Sequence, residues 1–81
     1  MNYDNFIKLV SSGFDVSFNY KEVFYTISLI EDNRNIRMYG IGSDNGFKAD
    51  FETLDSVATF VLEDKKIKDI VEDLKDEEVF Y

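Results

Sequence analysis

Cysteine, histidine, proline and tryptophan are all missing from this chain of 81 residues. Without cysteine there is no disulfide framework, no thiolate metal site and no thiol nucleophile. Without histidine the commonest general base and metal ligand is gone. With no proline and only four glycines, breaks are few and connections short. The longest nearly apolar run, Val57 to Leu62, falls far below the roughly 20 residues a helix needs to span a bilayer. The opening MNYDNFIKLVSSG lacks the charged and apolar regions of a signal peptide. Together these absences imply a soluble protein of a reducing cytoplasm.

What is present supports a core. Hydrophobic residues make up 44% and aromatic residues 16%, enough for a globular fold despite 32% charged residues. The length allows one domain, residues 1–81, with no room for a second core. Eight Phe and five Tyr must supply much of the interior.

Tyr3, Phe6, Ile7 and Val10 recur at helical spacing and predict a helix from about Tyr3 to Ser12, stopped by Gly13. The period then changes to two. Phe14, Val16, Phe18 and Tyr20 alternate with polar residues, and the β-branched and aromatic run Val23 to Ile30 follows. A hairpin about Lys21-Glu22 pairs Tyr20 with Val23, Phe18 with Tyr25, Val16 with Ile27 and Phe14 with Leu29, placing these eight large residues on one face. Glu31 to Arg34 reads as a turn, after which Ile36 is expected opposite Leu29 and Met38 opposite Ile27. Ser43 to Gly46 carries an Asn-Gly turn and leads to Phe47, Ala49 and Phe51 on the same face; turning the whole loop would set Arg37 across from Glu52.

Thr53 can cap a helix with the stripe Leu54, Val57, Ala58 and Val61, and the polar Glu63 to Lys66 interrupts it. Ile67, Ile70, Val71 and Leu74 predict a last helix, and the apolar Val79-Phe80-Tyr81 is expected to dock. The fold class is therefore α+β: a four-stranded antiparallel meander sheet with an N-terminal helix and two C-terminal helices packed on one face.

FNYKEVFYTIS, then FETLDSVATFVLEDKKIKDIVEDL and an apolar end, resembles a loose family of small acidic proteins from low-GC Gram-positive bacteria and their phages or mobile elements. The resemblance covers most of the chain from Asp15 onward. It implies a hairpin of the form F-x-Y-turn-x-Y-x-I ahead of two helices separated by a polar turn. Where that family often has Asn-Gly at the hairpin turn, this chain has Lys21-Glu22. No activity comes with the resemblance.

Chemistry-bearing patterns are weak. GIGSDNG, Gly40 to Gly46, has the wrong spacing for a dinucleotide loop and precedes a strand, so it reads as a hairpin turn. Asp44-Asn45-Gly46 and Glu31-Asp32-Asn33 carry oxygen ligands without the spacing of a calcium loop. A paired-carboxylate hydrolase would need a substrate cleft that so small a domain does not offer. No catalytic residue, cofactor or metal is expected.

Charge is the strongest signal. Of the net −8, residues 1–49 hold six acids against five bases, and residues 50–81 hold eleven against four. Asp69, Glu72, Asp73 and Asp76 recur at helical spacing as one acidic ridge that Glu77 and Glu78 extend. Lys65, Lys66 and Lys68 gather at the helix start, so these charges oppose the helix dipole at both ends. Such a ridge repels nucleic acid, so no direct nucleic-acid partner is expected, and no membrane partner is expected either. It suits a basic protein partner, such as a nucleic-acid-binding host enzyme. The expected function is a non-catalytic inhibitor of phage or mobile-element type, anti-CRISPR-like or another nucleic-acid mimic. The second reading is a self-associating adaptor, a homodimer through Phe24, Ile30, Tyr39 and Ile41 on the outer sheet face, with the acids serving solubility.

Overall fold

Asn2 opens the first helix: its side chain accepts the backbone N–H of Asp4 at 2.7 Å, and α1 runs Tyr3–Ser11. It ends where the periodic residues end. Gly13 takes φ +93° and the N–H of Phe14 returns to the Leu9 carbonyl at 3.0 Å. The computed structural model describes residues 1–33 and 36–81, except the side chain of Asp32.

The chain then builds β1 (Val16–Tyr20), β2 (Val23–Asn33), β3 (Ile36–Ser43) and β4 (Lys48–Phe51). The β1–β2 register is the expected one: Val16 faces Ile27, Phe18 faces Tyr25 and Tyr20 faces Val23. Phe14 falls outside this ladder; it is half exposed and its ring meets Tyr81 edge-on at 6.4 Å. After β4 come α2 (Leu54–Thr59), the two-residue strands β5 (Val61–Leu62) and β6 (Lys65–Lys66), α3 (Ile67–Asp73), a single 3-10 turn (Asp76–Glu78) and β7 (Val79–Phe80).

The architecture is α+β with three helices, but the sheet has five antiparallel strands in the order β4-β3-β2-β1-β7, not four. The apolar end of the chain supplies the fifth. Ser17 pairs with Phe80 and Phe18 with Val79, and Val79 is buried. Docking that segment covers the outer edge of β1, which would otherwise present unpaired backbone groups.

The second correction concerns β3. The strands continue through Asn33 and resume at Ile36, so Glu31 to Asn33 are strand; Arg34, the remainder of the expected turn, lies outside the described residues. Near the tip Asn33 pairs with Ile36 and Asp32 with Arg37, and a bulge between Leu29 and Glu31 then shifts the register. Leu29 meets Tyr39 and Ile27 meets Ile41, so the expected partners Ile36 and Met38 move to the other face. Burial decides this. Tyr39 is 5% exposed and Ile41 3%, whereas the alternate positions Gly40 and Gly42 have no side chains to bury. On β4 the register is Tyr39 to Phe51 and Ile41 to Ala49, so Arg37 does not face Glu52; its guanidinium instead donates to the Ser11 carbonyl at 2.7 Å.

All three helices cover one side of the sheet. Phe6 and Val10 from α1, Val57 from α2 and Ile67, Ile70 and Val71 from α3 close over Val16, Phe18 and Ile27, each essentially without solvent contact. Thr53 caps α2 as expected, its hydroxyl accepting the Ser56 N–H at 3.0 Å. Val61, placed on the α2 stripe by its spacing, is instead half exposed in β5, and Leu62 is buried in its stead.

Two tight turns meet at one corner. Lys21 and Glu22 both adopt left-handed backbone, φ 49° and 67°, as does Glu63 at φ 63°. The Asp64 carboxylate joins the two turns, accepting from Lys21 Nζ at 2.8 Å and from the Tyr20 hydroxyl at 2.5 Å. These bonds, Lys21 first, hold the Asp64 carboxyl below its ordinary range.

Two outcomes follow from this corner. Left-handed backbone costs a non-glycine residue about 1–2 kcal/mol, part of which glycine returns through its looser unfolded state. Glu22→Gly is therefore expected to raise the unfolding free energy by about 0.5–1 kcal/mol, read as a higher urea midpoint at unchanged slope. A carboxyl depressed in the folded chain adds stability above its unfolded pKa of about 3.9 and loses it as pH falls through the lower folded value. Asp64→Asn should therefore lower Tm at pH 7, with the difference from wild type shrinking in thermal scans below about pH 4 and lost once the pH lies under the folded value. A difference of equal size at both pH values would show that the carboxylate tie is not the cause.

Candidate functional site

The segment from Glu52 to Glu78 crosses the covered side of the sheet and holds ten acids against four lysines. The sequence asymmetry between halves thus becomes an asymmetry between faces. Asp55 on α2, Asp69, Glu72 and Asp73 on α3, and Asp76, Glu77 and Glu78 on the 3-10 turn are all exposed.

They do not form the single helical ridge that their spacing suggests. α3 ends at Asp73, because Leu74 and Lys75 turn to extended backbone with ψ 141° and 156°. Extending there lets Leu74 stay half-buried and lets β7 reach β1. Asp76, Glu77 and Glu78 form a second acidic step beyond that break, and the Lys75 N–H donates to the Glu78 carboxylate at 2.8 Å. Asp73 is paired: Lys65 Nζ donates to its carboxylate, and that bond raises the Lys65 pKa. Lys68 leans over the Tyr3 ring, 5.9 Å from its centroid. Two of the three lysines at the helix start are thus engaged by the molecule's own side chains.

The field of this layer registers on a neutral group. Tyr3 is pushed up to about 12, first by burial and then by the charges of Asp55 and Glu72, which approach it from α2 and α3. The dipole argument also changes. Asp69 lies in the first turn of α3, where negative charge is favoured, while Lys66 and Lys68 at that end and the acids at the far end oppose the dipole. At the far end the Met1 ammonium donates to the carbonyls of Val71, at 3.2 Å, and Leu74. A positive charge therefore faces the orphan carbonyls that the acids cannot satisfy.

The second set of sequence candidates divides. Phe24 and Ile30 lie on the open sheet face, and Ile30 is half exposed. Tyr39 and Ile41 belong to the core, the bulge having reversed their direction. Sequence spacing missed Phe80: paired to Ser17, it joins the open face and brings its ring to 6.2 Å from Phe24. The alternation Tyr39-Gly40-Ile41-Gly42 was the available sign that β3 buries its odd-numbered residues.

Cavities are shallow. The best-formed groove, about 300 Å³, lies between α1 and the chain's end and is lined by Met1, Lys8, Asp76 and Tyr81 among others. Among the described residues no group of three or more acids could hold a metal ion, and no helix is long and apolar enough to cross a membrane. No family model matches the chain, and neither a curated protein nor a solved structure matches it significantly.

Proposed function

We propose that this chain is a non-catalytic binding protein whose acidic helical face occupies a basic surface on another protein, of the kind that otherwise holds nucleic acid. The observation that carries this reading is the placement of ten acids and four lysines in one segment on one side of the sheet, with the acids of α3 and the 3-10 turn exposed. Such a face focuses negative potential, so it speeds encounter with a cationic groove and excludes polyanions. The resemblance to proteins of phages and mobile elements suggests the setting: an inhibitor that competes with DNA or RNA for a host enzyme, as an anti-CRISPR protein or another nucleic-acid mimic does. Asp69, Glu72, Asp76, Glu77 and Glu78 carry the contact in this reading. Asp73, already bonded to Lys65, contributes less.

The test uses the immobilised chain and the heparin-binding protein fraction of a host lysate. Capture should be strong at about 50 mM salt, fall steeply by about 0.5 M and be displaced by added duplex DNA. Asp69→Asn, Glu72→Gln, Asp76→Asn, Glu77→Gln and Glu78→Gln combined should weaken it at least about tenfold, with circular dichroism unchanged. Capture that survives high salt, or that ignores these five substitutions, would rule the reading out.

A further inference from the structure

The side of the sheet away from the helices follows a different logic. One row of backbone pairs crosses all five strands there, running Lys48, Gly42, Thr26, Ser17 and Phe80. The next row runs Asp50, Gly40 and Ser28. These two rows hold one lysine and one aspartate and no other charge, on a molecule of net −8. Neither Lys48 nor Asp50 has an ion-pair partner among the described residues. The hydroxyls of Ser17 and Thr26 bond each other at 2.8 Å, which satisfies one of their two O–H donors.

The face also has relief. Phe24 and Phe80 lean together over β1 as a raised aromatic pair, and Phe80 is half exposed. Two strands away, Gly40 and Gly42 floor a depression of about 280 Å³, walled by Ile30, which packs against Gly40, and by Thr26, Lys48 and Asp50. A knob and a hole on one surface, at equal distances on either side of β2, form a self-complementary pattern.

We propose that this face binds a second copy of the chain. A two-fold axis lying along β2 in the interface plane exchanges β1 with β3 and β7 with β4. Each Phe24–Phe80 pair then enters the other copy's glycine depression, and each Phe80 ring meets the other copy's Lys48. Charge selects the occupant. The acids of α2, α3 and the 3-10 turn lie on the far side of the sheet, and on the open-face rows Asp50 is balanced by Lys48. Two copies can therefore meet through this face without strong mutual repulsion. Strand spacing and length give roughly 400 Å² of contact per copy, about 800 Å² in total and below the roughly 1,200 Å² of standard interfaces, so the dimer is weak and reversible.

Sedimentation equilibrium from about 10 μM to 1 mM tests this, with the mass expected to rise from 9.5 kDa toward twice that value. Added salt should leave the association unchanged or tighten it, opposite in sign to binding through the acidic face. Gly42→Glu is the sharpest variant: a Cβ there meets nothing within 4 Å and the backbone is not left-handed, so the monomer should fold normally. It should weaken the dimer more than about tenfold, as should Phe80→Ser by removing the knob. A mass of 9.5 kDa throughout the range, or a dimer that neither variant weakens, overturns the proposal.

Discussion

The sheet can bury only one of its faces, and the whole structure follows from how that face is covered. Phe18 lies near its centre, paired with Tyr25 on one side and Val79 on the other, under a lid formed by Phe6, Ile67 and Ile70. Burying side chains of this size contributes roughly 1.5–3 kcal/mol each, against a net stability of about 5–15 kcal/mol for a whole domain. No strand can therefore turn its large residues outward without losing a sizeable share of the fold. That requirement explains the bulge at Ile30. One extra residue in β2 disrupts the ladder locally, and in return Tyr39 and Ile41 enter the core while Gly40 and Gly42 fall on the open face, Gly40 under the Ile30 side chain. The same choice leaves the other face flat over Gly40 and Gly42, which is what opens the depression there.

How far the sequence could be read depended on how many large residues agreed. On β1 and β2 the alternation is unbroken from Val16 to Ile27, any slip would expose all of it, and register and face were both legible. On β3 two alternations compete, Ile36 and Met38 against Tyr39 and Ile41, and although Gly40 and Gly42 favour the second, it needs a bulge in β2 that has no composition signal of its own. β7 is two residues long, and its pairing depends on the distant Ser17 and Phe18. The acidic site was legible in its composition and not in its shape. Asp69, Glu72 and Asp73 share α3 as their spacing suggests, but Asp76 does not continue them, because the docking of Val79 pulls the chain straight after Asp73. Local periodicity extended the helix, and a long-range contact ended it.

That contact bears on the acids at the end of α3. A short helix with carboxylates in its last turn is a poor helix in isolation, since charge and dipole disagree and seven residues are too few to propagate. Here it is fixed from outside at both ends. Ahead of it, Asp64 is tied to Lys21 and Tyr20, only two residues before Lys66 caps the helix. Behind it, the Met1 ammonium takes the Val71 and Leu74 carbonyls, and Lys65 reaches forward to Asp73. The corner bearing the first tie keeps Lys21, Glu22 and Glu63 in left-handed backbone although glycine would fit with less strain. What this arrangement secures is position. The acids of α3 project from a backbone held by the core beneath it and by charged contacts at each end. A charged surface ordered before binding loses less entropy when it meets its partner than one carried on a fraying helix. The misfit between acids and dipole is thus offset by contacts that also fix the backbone from which those acids project.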